Sequence, residues 1–186
     1  APDEMLVLLV GRLVWEKGFH LALDALPGLI RRVGRVRFLV AGSGTAEDEL
    51  REQAQRLGLM EHGTFVGWTG DDVLHSLYRI ADLCLVPSIY EPFGLVALEA
   101  MASGCPCIVA DTGGLREVVP HEEAGLRFRA HDPEALAEVA IRVLSDDELG
   151  RRLVAEAYEH LRRFDWGDVA EQTAALYAEL AGAKLP

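Results

Sequence analysis

The sequence predicts an α/β fold, a Rossmann-like parallel sheet with helices on both faces, and three observations carry that expectation. Short apolar runs alternate with segments of helical spacing through the first two thirds of the chain. Two of those runs, LVLLV and RFLVA, are nearly continuous rather than alternating in polarity, as strands buried on both faces are. Regular alternation of strand and helix implies right-handed crossovers, which lay successive strands parallel.

Taken in order, Met5–Val10 is the first apolar run; it ends at Gly11, and Phe19, Leu23, Leu26 and Ile30 follow at helical spacing. VRFLVAG then precedes TAEDELREQAQRLG, GTFVG precedes DDVLHSLYRIA, DLCLVP precedes LVALEAMASG, and PCIVAD precedes GLREVV. After GLRFRAHD the pattern turns to helix alone, in PEALAEVAIRVLSD, DELGRRLVAEAYEHLRRF and WGDVAEQTAALYAELAG. Asp132 ahead of Pro133 is an N-cap followed by proline in the first turn. These last helices, over about 132–181, are expected to pack over the sheet and to complete one domain spanning 1–186. No linker, fixed-period repeat or biased tract divides it, and 50% hydrophobic residues supply one core.

Composition narrows the function classes. A formal net charge of -12 argues against broad nucleic-acid binding, which needs a basic face, but leaves room for a small anion held by local N–H groups and one or two cations. The start APDEMLVLLVGRL has no basic region before its apolar stretch, and no run reaches the roughly 18 apolar residues of a membrane span. Neither a transmembrane helix nor a signal peptide is indicated, and a cytoplasmic location is expected. Cys84, Cys105 and Cys107 read as buried reduced thiols; Cys105 and Cys107 share a face, but no second Cys/His pair joins them, so no metal is expected.

In an open parallel sheet the ligand lies beyond the carboxyl ends of the strands, so the loops after the strands are the candidates. In GRLVWEKGFH, Gly11 ends the strand, Arg12 follows, and Lys17 stands before Gly18 at a helix start: a diphosphate clamp, or two solvated charges. The chain has only two lysines, Lys17 and Lys184, which favours the clamp. In VAGSGTAEDEL, Gly42 and Gly44 give room for a ligand or for neighbouring backbone. A dinucleotide fingerprint would need a third glycine where Glu47 stands, and would follow the first strand. In FVGWTGDD, Trp68 and Thr69 could receive a base, or Trp68 could be packing surface.

The fourth loop, SIYEPFG, leads into a short helix over Leu95 to Ala102. Backbone N–H groups near Gly94 and Leu95 would point out of the helix N-terminus toward an anion. Glu99, about one turn in, could accept from two vicinal ribose hydroxyls, and Glu91 could reach the sugar beyond the phosphates. A helix-dipole glutamate and a surface glutamate are the competing reading.

EPFGLVALEAMASGCPCIVADTGGLREVV resembles the E-x7-E block of the donor-binding domain of retaining glycosyltransferases of GT-B architecture, in family four. GRLVWEKG is similar to that family's G-R-x4-K-G loop, VAGSG and FVGW fall in the expected order, and FDWGDVAEQTAALYAEL resembles its closing helix. The resemblance implies that Arg12 and Lys17 hold the donor diphosphate with the backbone of Gly94 and Leu95, and that Glu99 binds the ribose. It further implies that Glu91 and Phe93 face the donor sugar and that Trp68 and Thr69 lie near the base, with Gly11 among the substrate-binding residues. Arg12, Lys17 and Glu91 would be the catalytic residues of hexose transfer with retention, and the nucleotide-diphosphate sugar is a substrate, with no separate cofactor. No D-x-D occurs, so no metal-bridged diphosphate is expected. The family's preceding acceptor domain is missing, so this chain is expected to be the C-terminal half of a longer enzyme, or a stand-alone half, that binds donor and transfers little alone. A nucleotide-binding scaffold, a nucleotide-sugar epimerase half and a nicotinamide dinucleotide domain are the alternatives.

Overall fold

The computed structural model describes residues 4–182; Lys184 lies outside them. Six strands, β1 (Met5–Val10), β2 (Val36–Ala41), β3 (Gly63–Gly67), β4 (Leu83–Val86), β5 (Cys107–Ala110) and β6 (Leu126–Phe128), form one sheet in the order β3-β2-β1-β4-β5-β6. Every pairing is parallel. The helices are α1 (Phe19–Val33), α2 (Glu47–Arg56), α3 (Asp71–Ile80), α4 (Leu95–Ala102), α5 (Leu115–Val118), α6 (Pro133–Leu144), α7 (Asp147–Leu161) and α8 (Trp166–Leu180).

Burial explains the strand pattern. The whole of β4 and β5 and Val7–Leu9 of β1 are buried, as central strands covered on both faces require. At the far edge, β6 alternates, with Arg127 between buried Leu126 and Phe128. Three residues with a charge in the middle carry too short a signal to stand out, and the sequence reading gave this segment no strand.

α1 presents Phe19, Ala22, Leu23, Leu26 and Leu29 as one buried stripe and ends at Gly34, whose N–H donates to the Ile30 carbonyl. It packs against α2 and α6, whereas α4 packs against α3, α5 and α7, so helices cover both faces. Asp132 caps α6 by accepting from the Ala135 N–H at 3.0 Å, and Asp146 caps α7 through the N–H groups of Glu148 and Leu149. α8 departs from the expectation that the last helices pack over the sheet. None of its residues is buried, and its main contact is the 3-10 turn Arg162–Phe164 just before it. Its apolar residues Leu176, Tyr177 and Leu180 stand in solvent, so helical periodicity was legible but its partner was not.

The chain winds outward from β1 to β3 and returns through α3 to β4, beside β1. That reversal leaves a crevice at the carboxyl ends of β1 and β4, where doubly wound sheets bind their ligands. Among the described residues no helix is long and apolar enough to cross a membrane.

Close backbone contact sets the loops. Gly42 has φ +143°, and a β-carbon there would lie 1.9 Å from the Gly11 carbonyl oxygen; one at Gly44 would lie 2.3 Å from the Leu13 carbonyl oxygen. The structure shows neighbouring backbone at both glycines, and Gly42 also lines a hollow. Gly42→Ala is therefore expected to cost on the order of 3 kcal/mol of stability in urea denaturation, combining backbone strain with overpacking. Gly58→Ala, also at positive φ but with nothing within 4 Å, is expected to cost about 1 kcal/mol.

Candidate functional site

The loops after β1 and β4 meet across the crevice. The Glu16 carbonyl accepts from the N–H groups of Ile89 (2.8 Å) and Tyr90 (3.2 Å), stitching one loop to the other. Gly18 closes the 3-10 turn Trp15–Lys17 at φ 67°, and a β-carbon there would sit 2.0 Å from the Pro87 carbonyl oxygen. Only glycine lets the two backbones approach this closely.

The seam places Lys17 on Glu91. Lys17 Nζ donates to Glu91 Oε2 at 2.5 Å, and Ser88 Oγ donates to the same oxygen at 3.3 Å. Ser88 and Glu91 are the buried polar residues of the described chain, at 1% and 7% exposure. The Glu91 backbone is held too: its carbonyl accepts from the Gly114 N–H at 2.9 Å, which ties in the loop after β5. A carboxylate this buried requires a charge or several donors, and it has both. Lys17→Ala strips Glu91 of its counter-charge and is expected to destabilise the fold by about 1–3 kcal/mol, part of which Lys17→Ala/Glu91→Ala recovers; a double-mutant cycle in urea measures the coupling.

Glu91 is followed by Pro92, Phe93 and Gly94, and Gly94 starts α4 at φ 113° with no side-chain cap. The first turn of α4 therefore presents N–H groups at the crevice with no side chain bonded to them. Glu99 lies one turn further in, half-buried, and its Oε2 accepts from the Tyr78 hydroxyl of α3 at 3.0 Å. Burial pushes the Tyr78 phenol far above its ordinary range, with Cys84 and Glu99 adding to the shift, so this hydroxyl keeps its proton and donates.

A hollow of about 240 Å³ opens beside the crevice at the carboxyl ends of β1, β2 and β3. Gly11, Arg12, Gly42, Ser43, Trp68 and Thr69 line it. That is below the roughly 300–1,000 Å³ of pockets for drug-sized ligands and suits a single ring system. Arg12 is exposed and its guanidinium has no hydrogen bond or ion pair among the described residues, so it is a free cation at the hollow's rim. Trp68, 77% exposed, is wall and not core. A larger hollow of about 750 Å³ lies against α2 and the segment before β3.

The structure thus gathers the residues singled out from sequence into one region at the carboxyl end of the sheet. Lys17 and Glu91 are in contact, Gly94, Leu95 and Glu99 share α4 and its start, and Gly11, Arg12, Trp68 and Thr69 share the hollow. Phe93 is half-exposed and its ring meets Phe164 edge to face, centroids 6.2 Å apart, so part of its surface is spent on the segment before α8. Ser88 and Tyr78, which fix the two glutamates, were not foreseen; a serine three residues before Glu91 was the one legible hint. Among the described residues no three His, Cys, Asp or Glu side chains gather as a metal site, and the three cysteines are buried and free.

Comparison with known proteins places this geometry. Residues 1–160 match the family model described as Glycosyl transferases group 1. An uncharacterized glycosyltransferase of Methanocaldococcus jannaschii is 37% identical over 176 residues, 94% of this chain and 45% of the relative. Among solved structures, sucrose-phosphate synthase from Thermosynechococcus elongatus superposes with a TM-score of 0.84 at 35% identity, covering 99% of this chain and 47% of that one. Anabaena HepE in complex with UDP-glucose superposes with a TM-score of 0.85 at 28% identity, covering 95% and 49%. The chain spans about half the length of the curated relatives it matches. It belongs to the glycosyl transferases group 1 family, with the fold of the C-terminal half of a GT-B architecture.

Proposed function

We propose that the chain is the nucleotide-sugar donor domain of a retaining hexosyltransferase whose acceptor half lies in a preceding domain. The observation that carries this reading is the crevice itself: two cations, Arg12 and Lys17, and the uncapped start of α4 converge where the sheet reverses. A structural neighbour solved with UDP-glucose supports a uridine donor.

In this reading the base rests in the hollow against Trp68 and Thr69, the ribose hydroxyls bond Glu99, and the diphosphate lies between Arg12, Lys17 and the N–H groups of Gly94 and Leu95. Glu91 and Phe93 face the hexose. The bond that breaks joins the anomeric carbon to the diphosphate oxygen. Its electron pair leaves on that oxygen, where Arg12 and Lys17 stabilise the developing charge. The acceptor hydroxyl forms the new bond on the same face, and its proton passes to the departing diphosphate. Charge compensation by side chains and helix N–H groups assigns no metal and no separate cofactor to the step. A cytoplasmic enzyme fits these substrates. The exposed side chains on this rim, Trp15, Tyr90 and Leu95 among them, would meet the donor or the acceptor domain.

Arg12 tests the clamp most cleanly, because it is exposed and unpaired and its loss leaves the Lys17–Glu91 pair intact. Arg12→Ala is expected to weaken UDP binding by about 1.5–3 kcal/mol, roughly 10- to 150-fold, with no change in Tm. Unchanged affinity in calorimetric titration would remove Arg12 from the diphosphate site.

A further inference from the structure

We propose that Tyr78 is a positioning residue for Glu99, and that its hydroxyl sets how strongly the site distinguishes a ribonucleotide from a deoxyribonucleotide; this rests on the reading of Glu99 as the ribose ligand. Tyr78 is the single buried residue of α3, a helix otherwise turned largely to solvent, and it is wholly enclosed. Phenylalanine would fill that volume as well. A buried hydroxyl adds a desolvation penalty unless it bonds, so its presence calls for a partner, and the partner is Glu99 Oε2 at 3.0 Å.

The arrangement works in one direction. The phenol stays protonated through burial, so Tyr78 donates and Glu99 Oε2 accepts. Cys84 of β4 and Cys107 of β5, paired in register, are buried in the same core as Tyr78. With Oε2 fastened to a side chain that cannot retreat, the carboxylate plane of Glu99 is set before any ligand arrives. Two vicinal hydroxyls demand such a fixed plane, since both bonds form only if the carboxylate orientation is held. α3 and α4 thereby act together: one supplies the carboxylate, the other fixes its orientation.

The test is calorimetric titration of the chain with UDP and 2′-deoxy-UDP, with Tm recorded for each variant. The unmodified chain is expected to prefer UDP by about tenfold. Tyr78→Phe is expected to bind UDP several-fold more weakly and to bring the UDP to 2′-deoxy-UDP affinity ratio close to one. Cys84→Ala, which opens the same buried cluster and leaves both the Tyr78 hydroxyl and the Glu99 carboxylate in place, is expected to lower Tm and keep the ratio. Glu99→Asp withdraws the carboxylate from the phenol by one methylene, leaves the core intact, and is expected to lose the ratio as Tyr78→Phe does. A ratio preserved in Tyr78→Phe or Glu99→Asp, while Glu99→Ala abolishes it, overturns the role of Tyr78 and leaves Glu99 as the ribose ligand. A ratio preserved in Glu99→Ala, or no binding of either nucleotide by the unmodified chain, overturns the donor-domain reading beneath it.

Discussion

The contact between the β1 and β4 loops is the constraint on which the rest of the site depends. The Glu16 carbonyl holds two N–H groups of the opposite loop, Gly18 lies flat against Pro87, and Lys17 reaches across to Glu91. Each contact needs the others. Without Gly18 the backbones could not close, and without that closure a carboxylate 7% exposed would lose Lys17 as its counter-charge. The loop after β5 completes the cradle through the Gly114 N–H on the Glu91 carbonyl. Three loops from three neighbouring strands are therefore fixed before any ligand enters, the kind of preorganisation that electrostatic stabilisation of a leaving group requires.

This seam also reconciles the chain's charge with the anionic donor proposed for it. A molecule of net charge -12 repels anions at long range, but an effect screened over about 10 Å at 0.1 M salt yields to contacts a few ångströms away. Lys17 spends part of its charge on Glu91, which keeps that buried carboxylate from opposing a phosphate. Arg12 is left whole at the rim, and the N-terminus of α4 adds partial positive charge with no carboxylate in its first turn. The two glutamates differ in consequence: Glu91 is paired with a cation, whereas Glu99 accepts from a neutral phenol.

Much of this was legible in the sequence because burial on both faces writes itself as continuous apolar runs, as in Met5–Val10 and Cys107–Ala110, and because the site residues sit in loops broken by glycine and proline. The strand at Leu126–Phe128 was hidden by its length and its central arginine. The exposure of α8 was hidden because periodicity reports an apolar face and not what covers it. Gly42 and Gly44 looked open to a ligand or to backbone, and only the fold shows the β1 loop pressed against them. Tyr78 and Ser88 escaped notice for a related reason. A tyrosine inside a helical stripe and a serine after a strand are common in any core or turn, and their meaning lies in partners 21 and 3 residues away.

The central claim is that this preformed crevice holds a nucleoside diphosphate, and the measurement that tests it most directly is calorimetric titration of the unmodified chain with UDP, GDP, ADP and NADH in one buffer. Preference for one nucleoside diphosphate, with NADH bound far more weakly, is the predicted result and would also name the base. Tight binding of NADH with indifference to all three diphosphates would contradict it.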